Sequence, residues 1–248
     1  MNTGMSSIMS SIMNTEINPE NTLQQRIQQN LTTITDSISI AAAKSGRNPT
    51  DIQLIGVTKS INTEAIQYLM AAGVTSLGEN RVQDFLPKYD TLKDIAPTWH
   101  FIGHLQRNKV KFIIDKVAMI HSIDSLTLAD EINKRAKQQN KVIDALIEVN
   151  IANETSKHGI NPKNAANLAA ELVTFTNINI KGLMCIAPFV EDPEENRIHF
   201  KNMRNLLLDI NAKHPHNLTE LSMGMSGDYT TAIEEGATMV RIGTALVS

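Results

Sequence analysis

Residues 52–59 read IQLIGVTK, a short β-rich apolar run that closes on a lysine. An amphipathic stretch at helical spacing, residues 63–72, follows it. This unit returns about every twenty to twenty-five residues. The later apolar runs are 75–80 (TSLGEN), 99–103 (WHFIG), 119–124 (MIHSID), 142–151 (VIDALIEVNI), 178–186 (INIKGLMCI), 218–225 (LTELSMGM) and 239–246 (MVRIGTAL). Helical patterns separate them, among them 105–116, 126–139, 165–175, 194–210 and 229–235. Strand then helix, eight times, predicts a parallel sheet. Eight strands in about two hundred residues close most economically into a (β/α)8 barrel of α/β class. An open doubly wound sheet would need a glycine-rich fingerprint after its first strand, and IGVTKSIN does not supply it.

Ahead of the barrel, Leu23, Ile27, Leu31, Ile34 and Ile38 share one helical face. Pro19 suits the first turn of that helix and Gly46 its end, so a helix is expected over 19–44. Residues 1–17, MNTGMSSIMSSIMNTEI, are low in complexity and read as a disordered extension. Met5, Met9 and Met13 could each begin a shorter chain. No proline- or glycine-rich linker interrupts 18–248, so one domain is expected there.

The chain has 248 residues, 42% apolar and 20% charged, enough to bury a large core. Net charge is −3, so neither nucleic acid nor an anionic membrane is the default partner. No apolar segment is long enough to span a bilayer, and the first basic residue is Arg26, unlike a secretory signal. A cytoplasmic protein is expected. The single cysteine, Cys185, excludes a disulfide framework and a cysteine-based zinc site.

Parallel barrels carry their sites at the C-terminal ends of the strands. There the first strand ends in Lys59 and the second in Glu79-Asn80-Arg81. An amine held dry in the barrel mouth has a lowered pKa and can bond an aldehyde. The plain alternative is a lysine that snorkels from a strand end into water. The loops after the last two strands contain Met225-Ser226-Gly227-Asp228 and Gly243-Thr244. Barrels often hold phosphate there, with Ser226 placed to cap a helix and Gly243-Thr244 offering backbone approach and a hydroxyl. A capped turn with no ligand is the alternative. Strand alternation turns Arg241 and Gly243 to the same side, so Arg241 faces the lumen. A charge there needs a partner, either Glu148 or a ligand. Together these positions suit a phosphorylated aldehyde such as pyridoxal 5′-phosphate.

The chain resembles the pyridoxal 5′-phosphate homeostasis proteins, short relatives of the alanine racemase N-terminal barrel. The resemblance rests on Val57-Thr58-Lys59, LGENRVQ at 77–83, WHFIGHLQRNK at 99–109, SMGMSGD at 222–228 and EEGATMVRIGTA at 234–245. It implies a fold-type III barrel carrying the cofactor as an internal aldimine (a Schiff base) on Lys59. It implies Asn80 near the ring oxygen, Arg241 at the pyridine nitrogen, and Ser226, Gly243 and Thr244 around the phosphate, with Met225 lending backbone. It implies a role in homeostasis of vitamin B6 and amino acids without established turnover, with cofactor-dependent apoenzymes as recipients. An arginine at the ring nitrogen would keep that nitrogen unprotonated and weaken the cofactor as an electron sink. Two departures stand out: Ser60-Ile61-Asn62 replaces a proline common after the lysine, and the chain stops at Ser248, which could loosen the end of the last strand.

A cofactor-dependent amino-acid racemase is the alternative. It needs a second base, and Tyr229 is the candidate, since Tyr68 and Tyr89 fall in outer helices. A metal hydrolase is disfavoured because the only His-X-His, His214-Pro215-His216, precedes the seventh strand. A nucleotide loop is excluded by the missing glycine at 53. A barrel with no ligand would lack the colour of a bound aldehyde. His100 and His121 read as satisfied interior histidines, Lys157 as a solvated loop lysine, and Cys185 as core. With no second domain to cover the mouth, a monomer is expected.

Overall fold

The computed structural model describes residues 19–213 and 217–248; the 1–17 extension and His214-Pro215-His216 lie outside them. Eight strands pair in parallel and in chain order: β1 (Gln53–Val57), β2 (Ser76–Glu79), β3 (Thr98–Phe101), β4 (Met119–Ile123), β5 (Ile143–Glu148), β6 (Ile178–Met184), β7 (Glu220–Ser222) and β8 (Met239–Ile242). β8 returns to β1, with Gln53 opposite Met239 and Gly56 opposite Ile242, and the barrel closes. The described helices are α1 (Pro19–Lys44), α2 (Thr63–Ala71), α3 (Val82–Leu92), α4 (Val110–Ile113), α5 (Leu126–Gln138), α6 (Pro162–Leu172), α7 (Arg197–Lys213), α8 (Tyr229–Glu234) and α9 (Thr244–Val247).

Helix α1 matches its expected span, burying Ile27, Leu31, Ile34 and Ile38 and ending before Gly46 at φ 69°. It also closes the barrel's free end. Asn30 Nδ2 donates to the carbonyls of Leu246 (3.3 Å) and Ser248 (2.9 Å), so the end of β8 is held rather than loosened. The last expected strand is shorter than 239–246: the chain turns at Gly243 and begins α9, whose Leu246 is buried. Helix α6 starts earlier than 165 because Asn161 accepts from the Lys163 N–H (3.0 Å) and Pro162 takes the first helical position. The expected helix over 105–116 is a 3₁₀ turn at Arg107–Lys109 and the single turn α4. The chain must enter β4 at Met119, which leaves no length for more. The acidic run before α7 is a helix entrance, with Asp192 accepting from the Glu194 N–H at 3.0 Å.

Strand alternation stacks the lumen in layers. Ile55, Met119, Leu146, Met184 and Met239 form an apolar plug separate from the core between strands and helices. Two residues further along their strands stand Val57, His121, Glu148 and Arg241. The lumen therefore changes from apolar to polar toward the C-terminal mouth. Val240 and Ile242, one step out of phase, belong to the outer core.

Strands β6 and β7 approach so closely at Gly182 that a Cβ there would overlap the carbonyl of Glu220, its register partner. Gly182→Ala is expected to cost about 1–3 kcal/mol or more, since backbone must yield. Gly227→Ala, with nothing within 4 Å of the new methyl, is expected to stay within about 0.5 kcal/mol. Urea unfolding of the two variants checks this, and equal midpoints would contradict it.

Candidate functional site

The polar end of the lumen opens into a cavity of about 380 Å³, a size suited to a small cofactor. Lys59, Asn80, Glu148, Met225 and Arg241 line it, with Ile102, His104, Lys157 and His158 on its upper wall. Four of the seven residues proposed from sequence thus meet in one cavity although they come from β1, β2, β7 and β8 or the loops after them. Ser226, Gly243 and Thr244 are not part of its lining.

Lys59 lies two residues beyond β1 and lines the cavity, but its side chain is exposed. The expectation of a dry amine is not met. The mouth is open above it, and among the described residues no group pairs with it. Asn80 follows β2 directly, and its Oδ1 is buried without a partner.

Arg241 is buried inside the lumen as alternation requires. Its guanidinium donates to Ser222 Oγ (2.6 Å) and to the Cys185 carbonyl (2.8 Å). Glu148, the protein partner considered from sequence, makes no hydrogen bond to it and acts only through its charge. From Ser222 a chain continues inward, to His121 Nδ1 (3.0 Å) and from His121 Nε2 to His100 Nδ1 (3.0 Å). Arginine can only donate, so the Ser222 hydroxyl accepts from Arg241. In either pair of tautomers that joins His121 to His100, His100 Nε2 is buried with no partner, so His100 is not fully satisfied, contrary to expectation.

Burial drives the His100 pKa down to about 4. His121 falls well below the usual histidine value through burial first, then the nearby His100 and Arg241. Glu148 moves the opposite way. Burial and then Asp124 raise it to about 7, against the pull of Arg241, and its Oε2 has no hydrogen-bond partner. Cys185, next after β6, is buried, and burial pushes its thiol up to about 12. It packs as core, but its carbonyl holds Arg241.

The loop after β7 is built differently from expectation. Asp228, not Ser226, occupies the N-cap of α8, and it makes no side-chain cap bond. Its Oδ1 instead accepts from the Met225 N–H (2.7 Å), and its Oδ2 accepts from Asn196 Nδ2 (2.9 Å). The Met225 N–H is therefore occupied, and the residue meets the cavity through its side chain. Ser226 Oγ accepts from the Ala245 N–H (3.4 Å) and so ties this loop to the first turn of α9. Gly224, at φ 91°, lets the loop pass within reach of Tyr229 and Ala232.

Some site features were missed in the sequence. His104 stacks on His158 with ring centroids 3.9 Å apart and lies 3.6 Å from Asp124. Lys157 pairs with Glu154 (2.6 Å) and donates to the Ala187 carbonyl (3.0 Å), so it is a fixed part of the mouth rather than a free loop lysine. The His-X-X-X spacing along a strand end and the SKHG loop are too common to reveal these contacts. Among the described residues no cluster of three or more His, Cys, Asp or Glu could hold a metal. None of Tyr68, Tyr89 and Tyr229 lines the cavity.

Residues 30–248 match the family model of the alanine racemase N-terminal domain, which defines the class as a fold-type III barrel. The chain is 45% identical over 216 residues to the pyridoxal phosphate homeostasis protein of Aquifex aeolicus, covering 87% of this chain and 95% of that protein. It is 36% identical over 221 residues to the protein of the same name from Escherichia coli K12, covering 88% and 94%. The chain belongs to the family of pyridoxal phosphate homeostasis proteins. Among solved structures, PipY of Synechococcus elongatus PCC7942 with pyridoxal phosphate bound superposes with TM-score 0.79 at 32% identity, over 90% of this chain and 100% of that one. Alanine racemase of Clostridium difficile 630 shares the fold, with TM-score 0.71 at 16% identity over 90% and 56%.

Glu148 and His100 oppose each other in the pH dependence of stability. Unfolded histidine protonates near 6.5 but folded His100 only near 4, so between these values acid favours unfolding. Unfolded glutamate ionises near 4.5 but folded Glu148 only near 7, so between these values base favours unfolding. Each displacement is worth about 3 kcal/mol, and the two largely offset. Glu148→Gln is expected to steepen the loss of stability from pH 7 to 4.5, and His100→Asn to reduce it. Urea titrations at four pH values check this; equal slopes in all three proteins would contradict it.

Proposed function

We propose that this protein binds pyridoxal 5′-phosphate in the mouth of its barrel, joined covalently to Lys59, and serves the homeostasis of vitamin B6 and amino acids. The observation that carries the reading is the convergence of Lys59, Asn80 and Arg241 on one cavity. The residues suit the group. A buried acceptor of Asn80 lacks a partner, a fixed cationic donor stands at the floor, and the wall is partly apolar. When bound, the cofactor supplies an aldehyde that condenses with a primary amine and releases water.

Lys59 presents that amine from an open mouth, which gives the cofactor a way in and out. Asn80 would contact the ring oxygen. Arg241, locked by Ser222 and Cys185, would meet the ring nitrogen as a donor and would leave it unprotonated, since a guanidinium only donates. Ser226, Gly243 and Thr244 would hold the phosphate from the rim, where Ser226 Oγ already joins the β7 loop to the first turn of α9. Met225 contributes wall rather than an N–H. Cofactor-dependent apoenzymes are the recipients, the chain acts as a monomer, and its place is the cytoplasm. No helix of the described residues is long and apolar enough to cross a membrane.

Racemisation is the second reading. It needs a base on the ring face opposite Lys59, and no tyrosine of this chain lines the cavity.

Purified protein loaded with the cofactor is expected to absorb at the blue edge of the visible spectrum and to retain label after borohydride. Lys59→Ala is expected to lose the label and keep the fold; a persisting adduct would overturn the covalent assignment. Ser226→Ala and Thr244→Ala are each expected to weaken retention by about 1–2 kcal/mol. Unchanged dissociation in the double variant would place the phosphate elsewhere.

A further inference from the structure

The carboxylate of Glu79 is fully buried at the end of β2, directly before Asn80. Its Oε1 lies 2.6 Å from Lys88 Nζ, an amine that is itself only 13% exposed. A buried ion pair of this kind is weak support for stability alone, because desolvation offsets the attraction. What the pair touches is informative. Lys88 Nζ also donates to the Thr58 carbonyl (2.6 Å), and the Thr58 hydroxyl donates to Glu79 Oε1 (2.7 Å). The Thr58 N–H donates to the Gly78 carbonyl (3.0 Å), and the Thr58 carbonyl also accepts from Ile61 (3.1 Å). Every polar group of Thr58 is therefore held. The bond from Ile61 closes a turn from Thr58 to Ile61, and Lys59 is its second residue.

The Lys59 side chain receives no such support. It is exposed and unpaired among the described residues, so its backbone is the part of it that the protein fixes. The buried pair sits under the two positions, 59 and 80, that face the cavity from β1 and β2.

We infer that Lys88 and Glu79 are positioning residues, which clamp the turn at Thr58 so that the Lys59 amine meets an incoming aldehyde. The inference rests on the covalent role proposed for Lys59. In the step served, the Lys59 nitrogen bonds the aldehyde carbon, and the carbonyl oxygen leaves as water with both amine hydrogens. Lys88 takes no part in that bond; its ammonium is committed to Glu79 and Thr58.

The test uses the full chain and two probes. Pyridoxal 5′-phosphate reports the covalent bond through absorbance and borohydride trapping, with the labelled lysine located after digestion. Pyridoxamine 5′-phosphate, which has no aldehyde, reports the cavity alone. Lys88→Met is expected to lower the rate and extent of labelling at Lys59 by about tenfold and leave pyridoxamine 5′-phosphate affinity unchanged. Lys88→Arg, which restores the charge, is expected to recover part of the labelling. Thr58→Val keeps the ion pair and removes one contact, and is expected to show a smaller loss should Lys88→Met fold poorly. Wild-type labelling in Lys88→Met, labelling of Lys88 itself in the native chain, or an equal loss of both probes would overturn the clamp. A native chain that is not labelled at Lys59 would overturn the covalent assignment, and the clamp's purpose with it.

Discussion

The pairing of β8 with β1 is the constraint on which this protein depends. It joins residues nearly two hundred positions apart and sets Ile55 beside Arg241 and Gly56 beside Ile242. The contact is tight, since a Cβ on Gly243, just past β8, would stand 3.2 Å from Val57 at the end of β1. Without that closeness the end of β8 could not reach the end of β1, and Lys59 and Arg241 would not line one cavity. Helix α1 reinforces the closure by holding the last carbonyls through Asn30.

Closure also creates the electrostatic problem of the lumen. Arg241 carries a charge into a space with an apolar floor, where an unpaired charge would be costly. The protein answers with neutral dipoles, a hydroxyl and a carbonyl, backed by two histidines that burial keeps uncharged. A carboxylate bonded to Arg241 would cancel its charge toward the cavity. Glu148 stands near enough to feel Arg241 but makes no bond to it. The guanidinium is thus held still and left electrostatically active.

The parts of the mouth differ in how they are bonded. Asp228 and Asn196 tie the β7 loop to Pro188 of the β6 loop, and Lys157 bonds the carbonyl of Ala187. At the ends of β1 and β2 the Glu79–Lys88 pair secures the turn that contains Lys59. The Lys59 side chain is exposed and has no partner among the described residues.

Much of this was legible along the chain. The alternation of short apolar runs and amphipathic stretches specified strand and helix order, because each element must bury one face and local periodicity records which. The same alternation turned Arg241 inward, and the ends of the runs marked Lys59 and Asn80 as mouth residues. Burial and bonding were not legible. Lys59 is exposed because no element happens to cover it, Met225 has no N–H to offer because Asp228 folds back on it, and Lys88 serves Thr58 only because α3 lies against the β1 turn. Such contacts join positions whose spacing in sequence carries no period, and a side chain's partners are set by which elements the closed barrel brings side by side.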